Sequence, residues 1–216
     1  MATQGASSYI QPVFVENIKV FNGNFINLED HAIRMDRTKR HFFREPFIHH
    51  TLSSLLPSPP SGGLYKCTLV YDRTIHSVDI TPFTIPKIKS ASLAEVKRLD
   101  LIYKTQDRSN VQNLLSSFNT DEIIMVFNSF ITNASSYNLV FQDEQGALLT
   151  PLHYLHSGTK REYYLKKKEI TTFPIKPQHI KYYTKVFFIN ALVDITDDVS
   201  LPCHEILPID PCHPIP

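Results

Sequence analysis

Asn22-Gly23 separates two runs of strand-forming residues, VFVENIKVF and NFIN, and this dipeptide constrains the fold more than any other feature of the chain. Asn and Gly both accept the left-handed backbone of a tight hairpin turn, and β-branched and aromatic residues flank them. The chain is therefore expected to open with an antiparallel hairpin over residues 13–27, turning at Asn22, Gly23 and Asn24. From Leu28 the period changes. Leu28, Ala32, Met35, Phe42 and Phe43 recur at helical spacing, with Asn27 as the expected N-cap and Glu29 and Asp30 in the first turn. His31 and Arg34, three apart, share one face of that helix.

The run PSPPSGG at 57–63 can continue neither a helix nor a ladder and is expected to be a loop. Strands over 64–70 and 77–84 complete a small α+β domain, and Pro82 and Pro86 begin a connection that puts the boundary near residue 95. Beyond it, Leu99, Leu101 and Tyr103 would share one face of a strand, with Ile102 and Lys104 on the other. Ser109 and Gln112 have capping-box spacing ahead of the amphipathic stripe Val111, Leu114, Leu115 and Phe118. Strands are expected over 122–127 and 137–142, with 128–135 turning between them, and a third ends at Thr150-Pro151. Ser157-Gly158-Thr159 precede a helix through about Lys168, where Thr159 and Glu162 again have capping-box spacing. Residues 185–193 read as a buried strand carrying one polar residue, Asn190.

Composition narrows the function classes. The 216 residues carry 22 Lys plus Arg against 21 Asp plus Glu, a net charge of +1, so the chain is no generic polycation, and neither a nucleic acid nor a membrane surface is an expected partner. No Lys or Arg precedes position 19, and no apolar run approaches the roughly 20 residues of a membrane span. The three cysteines form no CxxC pair and are odd in number, as in a reducing cytoplasm. The expected setting is soluble and cytoplasmic. From Thr159 to Lys185 eight Lys or Arg face two Glu among four tyrosines, which reads as a solvated helix face. Cys203-His204 and Cys212-His213 suggest zinc, but neighbours in an extended chain point opposite ways and chelate one ion poorly. No metal site is expected.

Lys104 stands out chemically. It lies in an apolar segment just before a helix start, with Arg108 one turn on; the helix dipole and the neighbouring cation both disfavour an ammonium. A neutral amine there can form a Schiff base or act as a base; the bland alternative is a snorkelling surface lysine. Gly158 and Thr159 open a helix whose free N–H groups suit a phosphate, as any capped helix start does. Asn190 must find hydrogen-bond partners, in a ligand or in the backbone. The sequence has no GxSxG, P-loop or GxGxxG, and His31, His153 and His156 sit in no motif that makes them a catalytic set.

Six blocks, ENIKVFNGNFINLEDHAIRMDRT, YKTQDRSNVQNLL, DEIIMVFNSFITNASSYNLVF, LLTP, SGTKREYYL and FINALVDI, resemble in order and spacing the class IV aminotransferases. These fold-type IV pyridoxal-phosphate enzymes include aminodeoxychorismate lyase, branched-chain aminotransferase and D-amino-acid aminotransferase, and the lyase-like members are the nearest. The resemblance runs from Val15 to about Asp197. It implies a two-domain α/β protein of the D-amino-acid-aminotransferase-like fold: a small N-terminal α+β domain, residues 1–95, and a larger β-barrel-like α/β domain, residues 96–216, with pyridoxal 5'-phosphate bound between them. Lys104 would carry the cofactor and shuttle the proton. Arg34, in the HxxR pattern that starts at His31, would hold the phosphate together with the backbone of Thr159 and Lys160 and the Asn190-Ala191 segment, and Leu155 would border the ring.

Asn133 departs from the family pattern. Relatives place an acidic residue here, five before the asparagine matched by Asn138, to pair with the protonated pyridine nitrogen. Asn supplies no such charge, which should hurt transamination more than a pyruvate elimination that gains aromaticity. The resemblance thus implies a lyase acting on a small-molecule amine, converting 4-amino-4-deoxychorismate to 4-aminobenzoate and pyruvate in folate synthesis, and a homodimer as in relatives. A class IV amino-acid aminotransferase and a weakly active or non-catalytic cofactor-binding relative stay open. The chain is also shorter than most members, in the first domain and after Asn190.

Overall fold

The computed structural model describes residues 11–47, 51–97 and 101–210. Its first sheet grows from the expected hairpin. Strand β1 (Phe14–Phe21) pairs with β2 (Asn24–Phe25), and both turn residues take positive φ, 46° at Asn22 and 79° at Gly23. Strand β3 (Leu64–Tyr71) runs antiparallel along all of β1, and β4 (Ile75–Pro82) follows in the order β2-β1-β3-β4. Strand alternation puts Phe14, Glu16, Ile18 and Val20 on one buried face. Helix α1 (Leu28–Phe43) lays Ala32 and Met35 against Phe14, Leu69 and Tyr71, and the short α2 (Leu52–Leu55) adds Leu52. Asn27 precedes α1 as expected but does not cap it: its φ of 57° is left-handed, not the extended backbone from which an Asn side chain reaches the first-turn N–H groups.

The second sheet is mixed. Strand β5 (Ala91–Glu95) is parallel to β6 (Glu122–Phe127); then come β7 (Phe130–Ala134), β8 (Asn138–Asp143), β9 (Leu148–Pro151) and β10 (Thr171–Phe173), in the order β10-β9-β8-β7-β6-β5. β11 (Tyr183–Ile189) joins antiparallel at β8 and carries β12 (Ser200–Pro202). The sheet therefore branches at β8, and no pairing among the described residues closes it into a barrel. Its core includes Leu93, Ile124, Val126, Leu139, Phe141, Val186 and Phe188. Helices α3 (Ser109–Ser116) and α4 (Thr159–Lys166) pack on this part of the chain.

Several sequence expectations need correction. The connection leading to residue 95 contains β5, so the change of sheet falls between Pro82 and Ala91, and residues 91–95 are hydrogen-bonded into the second sheet. Ala91 to Ala94 are all buried, so β5 shows no alternation to betray it. The turn expected over 128–135 is only Asn128-Ser129, both at positive φ; β7 fills most of the rest. The strand expected around Lys104 is an irregular segment held to the edge of β1 by backbone hydrogen bonds: Val15 N donates to Lys104 O (3.0 Å) and Gln106 N to Val13 O (2.8 Å). Leu101 is buried and Ile102 exposed, while Leu99 lies outside the described residues.

Neither capping box forms. Asp107 Oδ1 accepts from Ser109 N (2.9 Å) at the start of α3, although Val111 and Leu114 bury their stripe as expected, with Leu115 and Phe118 packed beside them. Ser157 Oγ, not Thr159, donates to Glu162 (2.5 Å) at the start of α4. β11 ends at Ile189, so Asn190 follows the strand rather than sitting within it. Nor is α4 a solvated face, because Lys160 and Arg161 are buried. No helix among the described residues is long and apolar enough to cross a membrane. Among them no group of three or more His, Cys, Asp or Glu is placed to hold a metal, and Cys203 is buried. Cys212-His213 lies outside the described residues.

Candidate active site

A cavity of about 270 Å³ opens where β1 and α1 meet the second sheet. Of the residues singled out by sequence, Arg34, Lys104, Asn133, Asn138, Thr159, Asn190 and Ala191 line it. The Lys160 side chain is turned elsewhere, to an ion pair with Asp194, which Lys19 of β1 also grips (2.6 Å); only the Lys160 backbone stays at the helix start. Leu155 packs against the α3 cluster, away from the cavity wall, while its neighbour His156 lines the cavity.

Arg34 arrives from α1 already partnered. Its Nε donates to Glu16 Oε1 (2.9 Å) and its Nη2 to Glu16 Oε2 (2.5 Å), while His31 Nδ1 meets the same carboxylate (2.5 Å). Burial opposes the ionisation of Glu16, but Arg34 and His31 overcome it and hold the carboxyl well below the usual range. Arg34 Nη1 lies 3.2 Å from His156 Nε2. Since arginine can only donate, His156 Nε2 accepts and its Nδ1–H donates to Leu101 O (3.0 Å). His156 is therefore neutral, and burial with the cations Arg34, Lys104 and Arg108 keeps its pKa well below the ordinary value.

The segment before α4 is held by two cross-strand partners, Asn133 of β7 and Asn138 of β8. Both side-chain amides donate to the carbonyl of His156, at 3.0 and 2.9 Å. Asn133 Oδ1 accepts from Leu155 N (2.7 Å) and His156 N (3.2 Å), and Asn138 Oδ1 from Gly158 N (3.0 Å). The Asn133 amide is thus spent on backbone, and a carboxylate here would lose the donor to His156. A Cβ at Gly158 would sit 2.1 Å from Asn138 Oδ1, so any other residue here would displace that amide from its hydrogen bonds. Beyond it, the first N–H groups of α4 have no helical acceptor, and Thr159 Oγ1, on the cavity wall, is buried with no partner among the described residues. Asn190 closes its own turn, with Oδ1 accepting from Leu192 N (2.9 Å) and Val193 N (3.1 Å), which sets Ala191 at the wall.

Lys104 is half-buried, and its amine is brought down to about 7. Burial contributes most; Arg34 and Arg108 add to it, and Glu16 opposes. An amine with a pKa near 7 and a helix start with an orphaned hydroxyl line the same cavity, which can therefore hold an anion and present a nucleophilic nitrogen.

Sequence reasoning missed Glu16 and His156 as parts of this site, whereas Arg108, expected as the cation beside Lys104, depresses that amine and lines the cavity as well. Glu16 carried a usable signal: period-two alternation puts it on the inward face of β1 between Phe14 and Ile18, where a lone carboxylate needs a cation. Its partners His31 and Arg34 were already singled out. His156 carried none, since its partners Arg34 and Leu101 are distant in sequence.

No protein-family model matches the sequence, and no curated protein does. Solved structures do match. A protein from Haemophilus somnus assigned as a 4-amino-4-deoxychorismate lyase superposes with a TM-score of 0.74 at 24% identity, covering 84% of this chain and 97% of its own. A hypothetical aminotransferase from Mycobacterium tuberculosis, in its PLP-bound form, gives 0.66 at 14% identity, covering 94% and 85%. The fold IV transaminase from Curtobacterium pusillum gives 0.64 at 14%, covering 96% and 82%. At these identities the likeness is one of fold: the chain has the α/β architecture of fold IV transaminases.

Proposed function

We propose that this chain is a pyridoxal-phosphate enzyme and that its reaction is the release of pyruvate from 4-amino-4-deoxychorismate to give 4-aminobenzoate. The single observation that carries the cofactor is the presence in one cavity of Lys104, with an amine near pKa 7, and Thr159 Oγ1 at the start of α4, buried and with no partner among the described residues. The residues present fit the group. Its phosphate would take the Thr159 hydroxyl, the N–H groups of Thr159 and Lys160, and the N–H groups of Arg34 not spent on Glu16 and His156. The bound cofactor supplies a carbonyl that links to amines and a ring that accepts electron density from a neighbouring bond.

Lys104 Nζ, with a pKa brought down to about 7, accepts and returns the proton that moves during elimination. His156 aims Arg34, and Asn133 and Asn138 hold the carbonyl of residue 156 so that the helix start keeps its place. Asn133 brings no negative charge to the ring, and its amide is engaged by the backbone. That favours a reaction driven by aromatisation over transamination, and it supports the lyase reading along with the likeness to the Haemophilus somnus protein. The proposal extends to folate synthesis as the pathway, the cytoplasm as the setting and a homodimer as the working form.

The test is spectroscopic and then chemical. With pyridoxal phosphate added, the protein is expected to show a visible absorbance band that borohydride converts to a covalent label on residue 104, and Lys104→Ala to show neither. Release of 4-aminobenzoate and pyruvate then identifies the lyase; formation of pyridoxamine phosphate from an amino acid would identify an aminotransferase instead. A band with no product from any amine would leave a cofactor-binding protein.

A further inference from the structure

We propose that Arg108 is the carboxylate anchor of the cavity, a guanidinium that receives an acid group of the amine substrate beside the run Ser135-Ser136-Tyr137. The inference rests on the reading above, which gives Arg34 to the phosphate.

The argument is one of charge and hydrogen-bond supply. Arg108 lines the same cavity as Lys104, and among the described residues no carboxylate forms an ion pair with it. One N–H is used, Nη2 donating to Ser135 O at 2.7 Å, which leaves most of its five donors open. Glu122, the carboxylate whose field it feels, is committed elsewhere. Glu122 Oε1 accepts from Ile123 N (2.8 Å) and Ser135 N (2.9 Å), and its Oε2 from Ser135 Oγ (2.9 Å). Burial lowers the Arg108 pKa and raises that of Glu122, and the field of each only partly offsets the burial of the other.

Arg34, by contrast, carries its own carboxylate and contributes little net charge. Arg108 is thus a positive group of the site with no ion-pair partner among the described residues, half-buried and forked, and a planar carboxylate matches two parallel guanidinium N–H donors. The β7–β8 corner that supplies Ser135 O orients the fork, and hydroxyl-bearing side chains flank it. The ligand class this selects is an amine that also bears a carboxylate, and the corresponding ester or amide is discriminated against.

The experiment uses the full chain loaded with pyridoxal phosphate, with loading read from the visible spectrum, and measures by calorimetry the binding of 4-aminobenzoate and of its uncharged methyl ester. The wild-type protein is expected to prefer the acid by about tenfold or more. Arg108→Met should erase that preference and Arg108→Lys keep only part of it, with the protein still loaded with cofactor in both. A purely structural brace on Ser135 would weaken acid and ester alike. If Arg108→Met keeps the preference, or if the wild-type protein binds acid and ester equally, the inference is overturned while the cofactor reading stands. Should the methionine variant fail to fold, Arg108→Lys decides, because a preference equal to wild type in that variant also overturns the fork. Absence of the visible band in the wild-type protein overturns the cofactor reading and this inference together.

Discussion

Arg34 and Arg108 place two guanidinium groups on one cavity in opposite states of completion. Arg34 is fixed by a bidentate carboxylate and a neutral imidazole before any ligand arrives, whereas Arg108 holds one backbone carbonyl. A cation buried with its counter-ion is a structural unit that lends a spare donor to an anion. One without a counter-ion stores unmet electrostatic demand, which a ligand can satisfy. The contrast teaches that charge count alone does not identify a binding group; what matters is how many of its donors the fold has already taken.

The largest effect should come from breaking the completed end. Glu16→Gln leaves Arg34 buried and uncompensated and is expected to cost about 3–5 kcal/mol of stability in urea unfolding. Adding Arg34→Met should recover part of that loss, because the two residues act as a pair. Next comes the helix start. Gly158→Ala forces a Cβ against Asn138 Oδ1 and should cost roughly 1–3 kcal/mol, and Asn138→Ala in the same chain should relieve some of it, visible as a non-additive melting temperature. Arg108→Met should cost only about 0.5–1.5 kcal/mol, the worth of one hydrogen bond. An Arg108→Met loss as large as that of Glu16→Gln would erase the distinction between the two ends.

The finest discrimination is a shift of midpoint. Because the Lys104 amine sits near 7 instead of the ordinary 10.5, its labelling by an amine-reactive reagent should rise as pH increases through about 7, protonated and inert below, neutral and reactive above. The same depression makes the folded protein gain stability as pH rises from about 7 towards 10.5, since over that window the unfolded chain holds a proton that the folded chain has released. Removing either cation should move the midpoint upward. Arg108→Met tests this most cleanly, because loss of Arg34 also exposes the lysine to an unpaired Glu16. A midpoint that Arg108→Met leaves in place would show that burial alone sets the Lys104 amine.

What could be read from the sequence was what short-range chemistry decides. The Asn22-Gly23 turn, the apolar stripes of α1 and α3 and the strand over 122–127 each follow from neighbours within a few residues. β5 was hidden because a parallel strand buried on both faces has no alternation. β7 was hidden because Thr132 and Asn133 look like turn residues until their partners, Met125 O and the backbone of 155–156, are known. The same division runs through the site. Lys104 and the helix start were visible as local patterns, while Glu16 and His156 owe their roles to residues brought near by the fold. Asn133 was picked out by its position in a motif, and the structure gives it a second role as half of a clamp on one carbonyl.

Lys104 and Arg108 both lie on the crossover joining parallel strands β5 and β6, and the stretch around Lys104 is pinned to the outer edge of β1. A parallel pair closes a long loop before any contact rewards it, so it forms late. The final place of the Lys104 backbone therefore depends on the first and second sheets together. Refolding chains should therefore regain most of their secondary structure before they can accept a ligand, and a molecule that binds in the cavity should slow unfolding without hastening folding.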